Sequence, residues 1–190
     1  MVTTKLSLAD YLSLDRGPEG RCEFVDGDIL EIPSESEDNV IVGSYLAAQL
    51  LKVLSFDRVR QGTTELVISG RVRIPDVMVL GEDLVSALAG RRRSTITEEM
   101  PPPLLVVEVV SPGKINEDRD YRYKRSEYAA RGIPEYWIVD PEREKVTVLT
   151  LVDGWYEPEE FGPEGMLESP QVPGLSLSVA KLLSPRQENP

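Results

Sequence analysis

The 190-residue chain has no histidine and a single cysteine, Cys22. Without histidine, Ser-His-Asp and Cys-His catalysis are excluded in their usual forms, and the commonest general base is gone. One cysteine cannot replace the missing imidazoles of a zinc site. Nor can it form an internal disulfide, and it fits a reducing compartment. No apolar run approaches the ~20 residues of a membrane helix, and the first residues lack the basic, apolar and small-residue succession of a signal peptide. The expectation is a cytoplasmic protein. Basic residues are outnumbered, 21 against 33, for a net charge of -12. That balance argues against tight nonspecific binding of nucleic acid, which feeds on phosphate neutralisation, but leaves room for a local basic cleft. What remains open is oxygen-ligand chemistry with a hard cation, magnesium or manganese, with lysine or metal-bound water as base.

Two carboxylates interrupt runs that otherwise read as buried strands. Asp76 lies in Ile74-Pro75-Asp76-Val77-Met78-Val79-Leu80, and Glu108 in Leu104-Leu105-Val106-Val107-Glu108-Val109-Val110. Near-continuous apolar runs mark strands of a sheet covered on both faces. An uncompensated carboxylate there costs several kcal/mol or shifts its pKa until it neutralises. A divalent cation would relieve both acids at once, which makes phosphodiester chemistry the leading class. The alternatives are a buried ion pair with an arginine for Glu108 and a charge that blunts an edge strand for Asp76. Pro75 cannot donate to a ladder, so the strand of Asp76 is expected at an edge or bulged. Val109, one residue beyond Glu108, can offer its carbonyl as a further ligand.

Hydrophobic residues make up 41% of the chain, enough for a core, and the length suits one domain over residues 1–190. A short helix is expected over Ser7–Leu14, stopped by Gly17-Pro18. A hairpin follows about Asp26-Gly27, then a helix over Asn39–Leu54. Strands are expected at Val59–Gln61, Glu65–Ile68, Ile74–Leu80 and Leu104–Val110, with a long charged connection from Gly81 to Pro103 that holds a short helix near Asp83–Ala89. After Ser111-Pro112-Gly113 comes a helix over Asn116–Arg131, ended by Gly132. A meander over Glu135–Glu157 follows, then a Gly-, Pro- and Glu-rich stretch from 161, and a final strand and short helix over Leu175–Leu183. Strand-helix-strand from Leu104 to Val139 has the length of a crossover. The fold class is α/β, a mixed sheet flanked by helices.

Asp120, Lys124 and Tyr128 share a helical face at spacings of four. Either Lys124 pairs with Asp120 in solvent, worth a few tenths of a kcal/mol, or it leans towards Asp76 and Glu108. In the second case it would orient or deprotonate an attacking water. Glu23, on the first hairpin, is a third acid that either joins the cleft or points outward. Arg91-Arg92-Arg93 reads as a solvated run or, with Arg71 and Arg73, as a basic cleft. Trp137 reads as a core anchor in preference to a base-stacking platform.

The ordered set Cys22-Glu23-Phe24-Val25-Asp26-Gly27, Ile74-Pro75-Asp76, Val107-Glu108-Val109-Val110-Ser111-Pro112, Asp120-x-x-x-Lys124-x-x-x-Tyr128 and Gly132-Ile133-Pro134-Glu135-Tyr136-Trp137-Ile138-Val139-Asp140-Pro141 resembles the Uma-two family within the PD-(D/E)XK nuclease superfamily. The resemblance covers most of the chain. It implies a restriction-endonuclease-like fold, magnesium- or manganese-dependent hydrolysis of DNA, and a homodimer. It also implies Asp76 and Glu108 as metal ligands, with the Val109 carbonyl assisting. The superfamily's lysine two residues after the second acid is absent, since Val110 stands there, and Lys124 matches the displaced lysine of the family. Glu23 matches the recurring acid of the N-terminal hairpin. Asn39 stands near a position where many members carry histidine. Two other readings fit the same acids: a catalytically inactive nuclease-fold binding or assembly module, and a hydrolase of small phosphate compounds.

Overall fold

The computed structural model describes residues 5–14, 20–111, 113 and 119–186. The expected Gly17-Pro18 stop, Pro112 and the helix start at Asn116 lie outside them. Helix α1 (Leu8–Ser13) begins at Ser7, whose side chain accepts the amide of Asp10. The hairpin β1 (Cys22–Val25) and β2 (Asp28–Glu31) turns at Asp26 and Gly27, with φ of 52° and 89°. Positive φ at both central residues is what a two-residue hairpin turn demands. Gly27 has a second reason to lack a side chain: a Cβ there would lie 2.6 Å from the Cβ of Lys5. Helix α2 (Glu37–Leu50) is capped by Ser36, which accepts from the Asn39 amide, and carries Glu37 and Asp38 in its first turn.

Strands β3 (Val59–Gln61), β4 (Glu65–Ile68), β5 (Arg71–Arg73) and β6 (Val77–Val79) follow, then α3 (Glu82–Leu88), the two-residue β7 (Thr95–Ile96) and β8 (Leu105–Val109). A π-helical turn over Arg119–Lys124 runs into α4 (Arg125–Ala130). After it come β9 (Glu135–Asp140), β10 (Lys145–Val152), β11 (Trp155–Phe161), β12 (Met166–Glu168), β13 (Ser176–Ser178) and α5 (Val179–Leu183).

The strands form a six-stranded sheet, β11-β10-β9-β8-β6-β3, and a five-stranded sheet, β2-β1-β5-β4-β7, with β12 and β13 paired separately. Both large sheets are mixed, because β8 pairs parallel with β9 and β4 parallel with β7 while their other pairings are antiparallel. The expected mixed sheet flanked by helices is present, accompanied by a second sheet that the sequence did not announce. Strand β5 was missed because its alternation is Arg-Val-Arg, and β7 because it is two residues inside the charged connection.

Alternation decides which face each side chain of the six-stranded sheet takes. Val77, Val79, Val107 and Trp137 pack with Val42, Leu46 and Leu50 of α2 and with Leu182 of α5. Met78, Val106, Tyr136 and Ile138 pack on the other side with Tyr128 of α4, Leu84 of α3 and Leu66 of β4. Trp137 is fully buried, as a core anchor should be. The strand carrying Asp76 departs from expectation. Strand β6 is internal, between β8 and β3, and Pro75 and Asp76 precede it. Strand β5 ends at Arg73 in one sheet and β6 starts at Val77 in the other. Pro75, which has no amide to give a ladder, therefore sits in the crossing between sheets.

Candidate active site

The site forms where the two sheets meet. Pairing of Val77 with Val107 in antiparallel register carries on to set Asp76 opposite Glu108. By alternation both point to the face of Met78 and Val106, towards the π-helical turn and α4. The Val109 amide donates to Asp76 Oδ2 at 2.8 Å, while Oδ1 faces the Arg21 guanidinium at 3.7 Å. Burial raises the Asp76 carboxyl above its ordinary range, against the pull of Lys124, the Val109 amide and Arg21; the charge of Glu35 adds to the rise.

Glu108 is 3% exposed and both its oxygens are engaged. Lys124 Nζ lies 2.8 Å from Oε2, and the Tyr128 hydroxyl donates to Oε1 at 2.5 Å. Burial pushes the Glu108 carboxyl above its ordinary range; Lys124 opposes the rise, and Asp76 and Asp120 reinforce it. Lys124, also 3% exposed, has Asp120 at 3.5 Å and Glu23 at 3.7 Å. Burial alone would lower its pKa, but Glu108, Asp120 and Glu23 more than offset burial and hold it above the ordinary lysine value. Lys124 is therefore an ammonium at neutral pH, a donor and fixed charge instead of a free base. The Tyr128 hydroxyl is held well above its ordinary value, chiefly by burial and Glu108, and stays a neutral donor.

The solvated Asp120–Lys124 pair is not what forms. The two are in contact, but both are buried and the nearest carboxylate to Lys124 is that of Glu108. The buried ion pair considered for Glu108 is present, with lysine in place of arginine. The helix bearing it is π-helical at Lys124, not α-helical throughout. The Asp120 carbonyl accepts the Tyr136 hydroxyl at 3.0 Å, which accompanies the wider turn. Single π-turns occur frequently at functional sites.

Glu23 enters from β1 in the other sheet. Arg73 donates to its Oε2 at 2.7 Å, and the same guanidinium makes paired bonds to Glu127. Burial works to raise the Glu23 carboxyl, but Lys124 and Arg73 together hold it below its ordinary value. Glu23 is thus an anion at neutral pH, joined to the site through Lys124.

Asp76, Glu108, Lys124 and Glu23 line one open cavity of about 330 Å³, shared with Arg21 and Glu35. The four residues expected from sequence are brought together. Arg21 and Glu35 were missed. Arg21 carried a signal, because it stands two residues before Glu23, on the same face of an extended segment. Glu35 had none, being one of several acids in a polar loop. It accepts from the Ser111 hydroxyl at 3.1 Å beside Asn39, whose side chain donates to the Val110 carbonyl at 3.3 Å. Asn39 so ties the start of α2 to the end of β8. The arginine run divides. Arg93 makes a paired bond to Glu65 at 2.7 and 2.6 Å, and Arg91 donates to the Ala87 carbonyl. Arg71 and Arg73 are held by Asp26, Glu23 and Glu127.

Among the described residues no three acidic or cysteine side chains form a ready-made metal cage, and no helix is long and apolar enough to cross a membrane.

A crystal structure of a putative nuclease of the DUF820 family from Anabaena variabilis ATCC 29413 superposes with a TM-score of 0.69 at 19% identity, covering 94% of this chain and 98% of that one. That likeness shows a shared fold. No curated protein matches the sequence. A family model, Uma2, described as putative restriction endonuclease, matches residues 8–180, nearly the whole length, and the chain belongs to the Uma2 family.

Proposed function

We propose that the protein is a metal-dependent endonuclease that hydrolyses phosphodiester bonds of DNA. The observation that carries this reading is the buried ammonium of Lys124, 2.8 Å from Glu108, with Asp76 just ahead of the adjacent strand and both acids lining a cavity that opens to solvent. A purely structural ion pair has no need of an opening or of a second carboxylate beside it.

The donor set suits magnesium or manganese. It is all oxygen, and magnesium typically takes one or two carboxylates and completes its shell with water and substrate phosphate. Two acids without a third fit that habit. Asp76 would hold the ion through Oδ1, the oxygen not taken by the Val109 amide. Glu108 would hold it through lone pairs left beside Lys124 and Tyr128, with the Val109 carbonyl as a third donor. When bound, such an ion polarises a phosphate and lowers the pKa of a coordinated water.

The chain's own residues account for the rest. In hydrolysis a water oxygen bonds to phosphorus as the bond from phosphorus to a sugar oxygen breaks; the water gives up a proton to solvent, and the leaving sugar oxygen takes one up. Lys124 offers N–H donors on the side of Glu108, where they can orient the water and balance charge growing on the phosphate oxygens. Asp120 and Glu23 keep Lys124 charged. Tyr128 fixes the rotamer of Glu108. Arg73, from the same sheet as Glu23, holds that carboxylate towards Lys124 and ties the sheet to α4 through Glu127.

The test is nicking of supercoiled plasmid by wild type and Asp76→Asn in magnesium, in manganese and in chelator. Nicking in either metal that chelator and Asp76→Asn abolish is the expected result. Equal rates for the two proteins, or no cleavage of plasmid, single-stranded DNA or RNA in any metal, would overturn the reading and leave a non-cleaving member of the fold.

A further inference from the structure

A second cavity, of about 370 Å³, adjoins the acid site and shares Arg21 and Ile74 with it. Its basic side chains are Arg21, Arg92 and Arg93, and its acid is Glu65. The charges there are not equivalent. Glu65 is saturated: it takes both forks of Arg93, the Tyr11 hydroxyl at 2.7 Å and the Thr95 hydroxyl at 2.5 Å. Arg93 is consumed by that bond and by the carbonyls of Tyr11 and Leu14. Arg92 is exposed and makes no hydrogen bond or ion pair among the described residues. Arg21 is the odd one. Its Nε is buried without a hydrogen-bond partner, and its guanidinium only approaches Asp76 Oδ1, at 3.7 Å. A buried donor left unpaired is costly, so this geometry calls for an acceptor. Gly62 lies against it. A Cβ at Gly62 would stand 3.4 Å from the Arg21 terminal nitrogen, and its φ of +58° suits glycine.

We propose that Arg21 and Arg92 bind a backbone phosphate of the DNA strand in this second cavity, next to the phosphate being cleaved. The inference rests on the nuclease reading and gives the strand its path across the protein. Two arginines, one of them with an unspent planar donor, match the chemistry of a phosphate diester better than that of a carboxylate already supplied in excess nearby. The approach of Arg21 to Asp76 links the two cavities. Arg21 faces the Asp76 oxygen that a cation would take. Once a cation is there, its charge repels the guanidinium and favours the turn of Arg21 towards phosphate. Arg21 and Arg92 are positioning residues: they hold the strand, and neither touches the reacting atoms. They also supply local positive charge to a chain whose net charge is -12, without which approach of a polyanion is disfavoured.

The experiment measures binding of a fluorescein-labelled 16-base-pair DNA duplex by anisotropy, in calcium to suppress turnover, across a series of salt concentrations. Removing an arginine that neutralises one phosphate should lower the slope of log affinity against log salt by ~0.9. Arg92→Gln and Arg21→Gln should each bind several-fold more weakly with a slope reduced by about that amount. Lys52→Gln, an exposed lysine just beyond the far end of α2, should change neither. Magnesium affinity by calorimetry should hold for Arg92→Gln and hold or rise for Arg21→Gln, since a competing cation has left Asp76. Unchanged slopes in both arginine variants, or absence of duplex binding by wild type, overturn the inference. Plasmid nicking by wild type, scored separately, decides the nuclease reading. Shifted slopes without nicking would keep the phosphate site and discard the cleavage.

Discussion

Two buried glutamates on paired strands make opposite uses of the same side chain. Glu108 lies near the end of β8 and Glu135 at the start of β9, strands that pair in parallel. They are 3% and 1% exposed. Glu135 accepts the Trp137 indole N–H at 2.6 Å and the Ser169 hydroxyl at 2.6 Å. Burial raises its carboxyl, and those neutral donors only moderate the rise. It is sealed against the face that α2 covers. Glu108 faces the other way, meets a lysine and a tyrosine, and borders a cavity. A buried carboxylate is therefore not by itself a site. What separates the two is the partner, cationic or neutral, and whether solvent can enter.

The largest test of that contrast is catalytic. Lys124→Met removes the cation that distinguishes Glu108 from Glu135. Cleavage should fall ~100-fold or more, the usual loss of a positioned charge-stabilising group. Magnesium affinity by calorimetry should hold or rise, because a competing charge has gone. Glu135→Gln, by contrast, should nick plasmid at the wild-type rate. If Lys124→Met nicks as fast as wild type, Lys124 is not the displaced catalytic lysine and the cluster is structural, like that of Glu135.

The order reverses for stability. Glu135→Ala strands the Trp137 indole and the Ser169 hydroxyl without an acceptor. At ~1–3 kcal/mol for each of the two unsatisfied buried groups, the cost should be about 2–6 kcal/mol. For a chain of this length that is a fall of roughly 4–24 °C in Tm. Thermal unfolding checks it, and a loss below ~1 kcal/mol would mean that water reaches those donors.

Why one glutamate was legible in sequence and the other was not follows from their places in the strands. Glu108 breaks an apolar run from inside, so its burial is implied by its neighbours. Glu135 follows Pro134 at a strand entry, where a polar residue is unremarkable. Glu65 sits similarly, and its saturation by Arg93 was equally hidden. Lys124 was legible only as an ambiguity, since spacing of four joins it to Asp120 whether the helix faces water or the sheet. The hairpin, α2, β8 and the meander to β11 announced themselves through periodicity and turn residues. The second sheet did not, because β5 and β7 are too short and too polar to have a period. Arg21 depended on that second sheet for its position, and so was missed.

A triple variant, Glu108→Leu with Lys124→Met and Tyr128→Phe, sharpens the comparison from the other side. Replacing a buried ion pair and its hydroxyl by apolar groups is commonly neutral or stabilising by ~1–4 kcal/mol. The triple variant should be inactive and at least as stable as wild type. Removing the polar set around Glu135, which ties β9 to Ser169 just after β12, should destabilise. Chemical denaturation distinguishes the two. A triple variant less stable by more than ~3 kcal/mol would show that the Glu108 cluster holds the fold instead of serving a site.

The smallest expected effect is a slope in pH. In chelator, the folded Glu108 carboxyl, raised by burial, releases its proton at a higher pH than the unfolded glutamate, which does so near 4.5. Between those values the folded state binds more protons than the unfolded one, so stability falls as pH rises through the window and levels off above it. Glu135, also raised, acts with the same sign from the same lower limit. Glu23 acts with the opposite sign in a different window. Its carboxyl is lowered in the fold, so the stability it contributes is present above the unfolded value near 4.5 and is lost as pH falls through its folded value. The melting temperature should therefore peak near pH 5 and decline by a few degrees towards pH 8. Glu108→Gln and Glu135→Gln should each flatten part of that decline, and Glu23→Gln should alter only the acid limb. Adding magnesium should reverse the decline in wild type, because a ligand that binds only the folded state stabilises it. It should do so in Glu135→Gln as well, and fail in Glu108→Gln. Identical pH profiles for Glu108→Gln and Glu135→Gln, with identical responses to magnesium, would erase the distinction between the two glutamates.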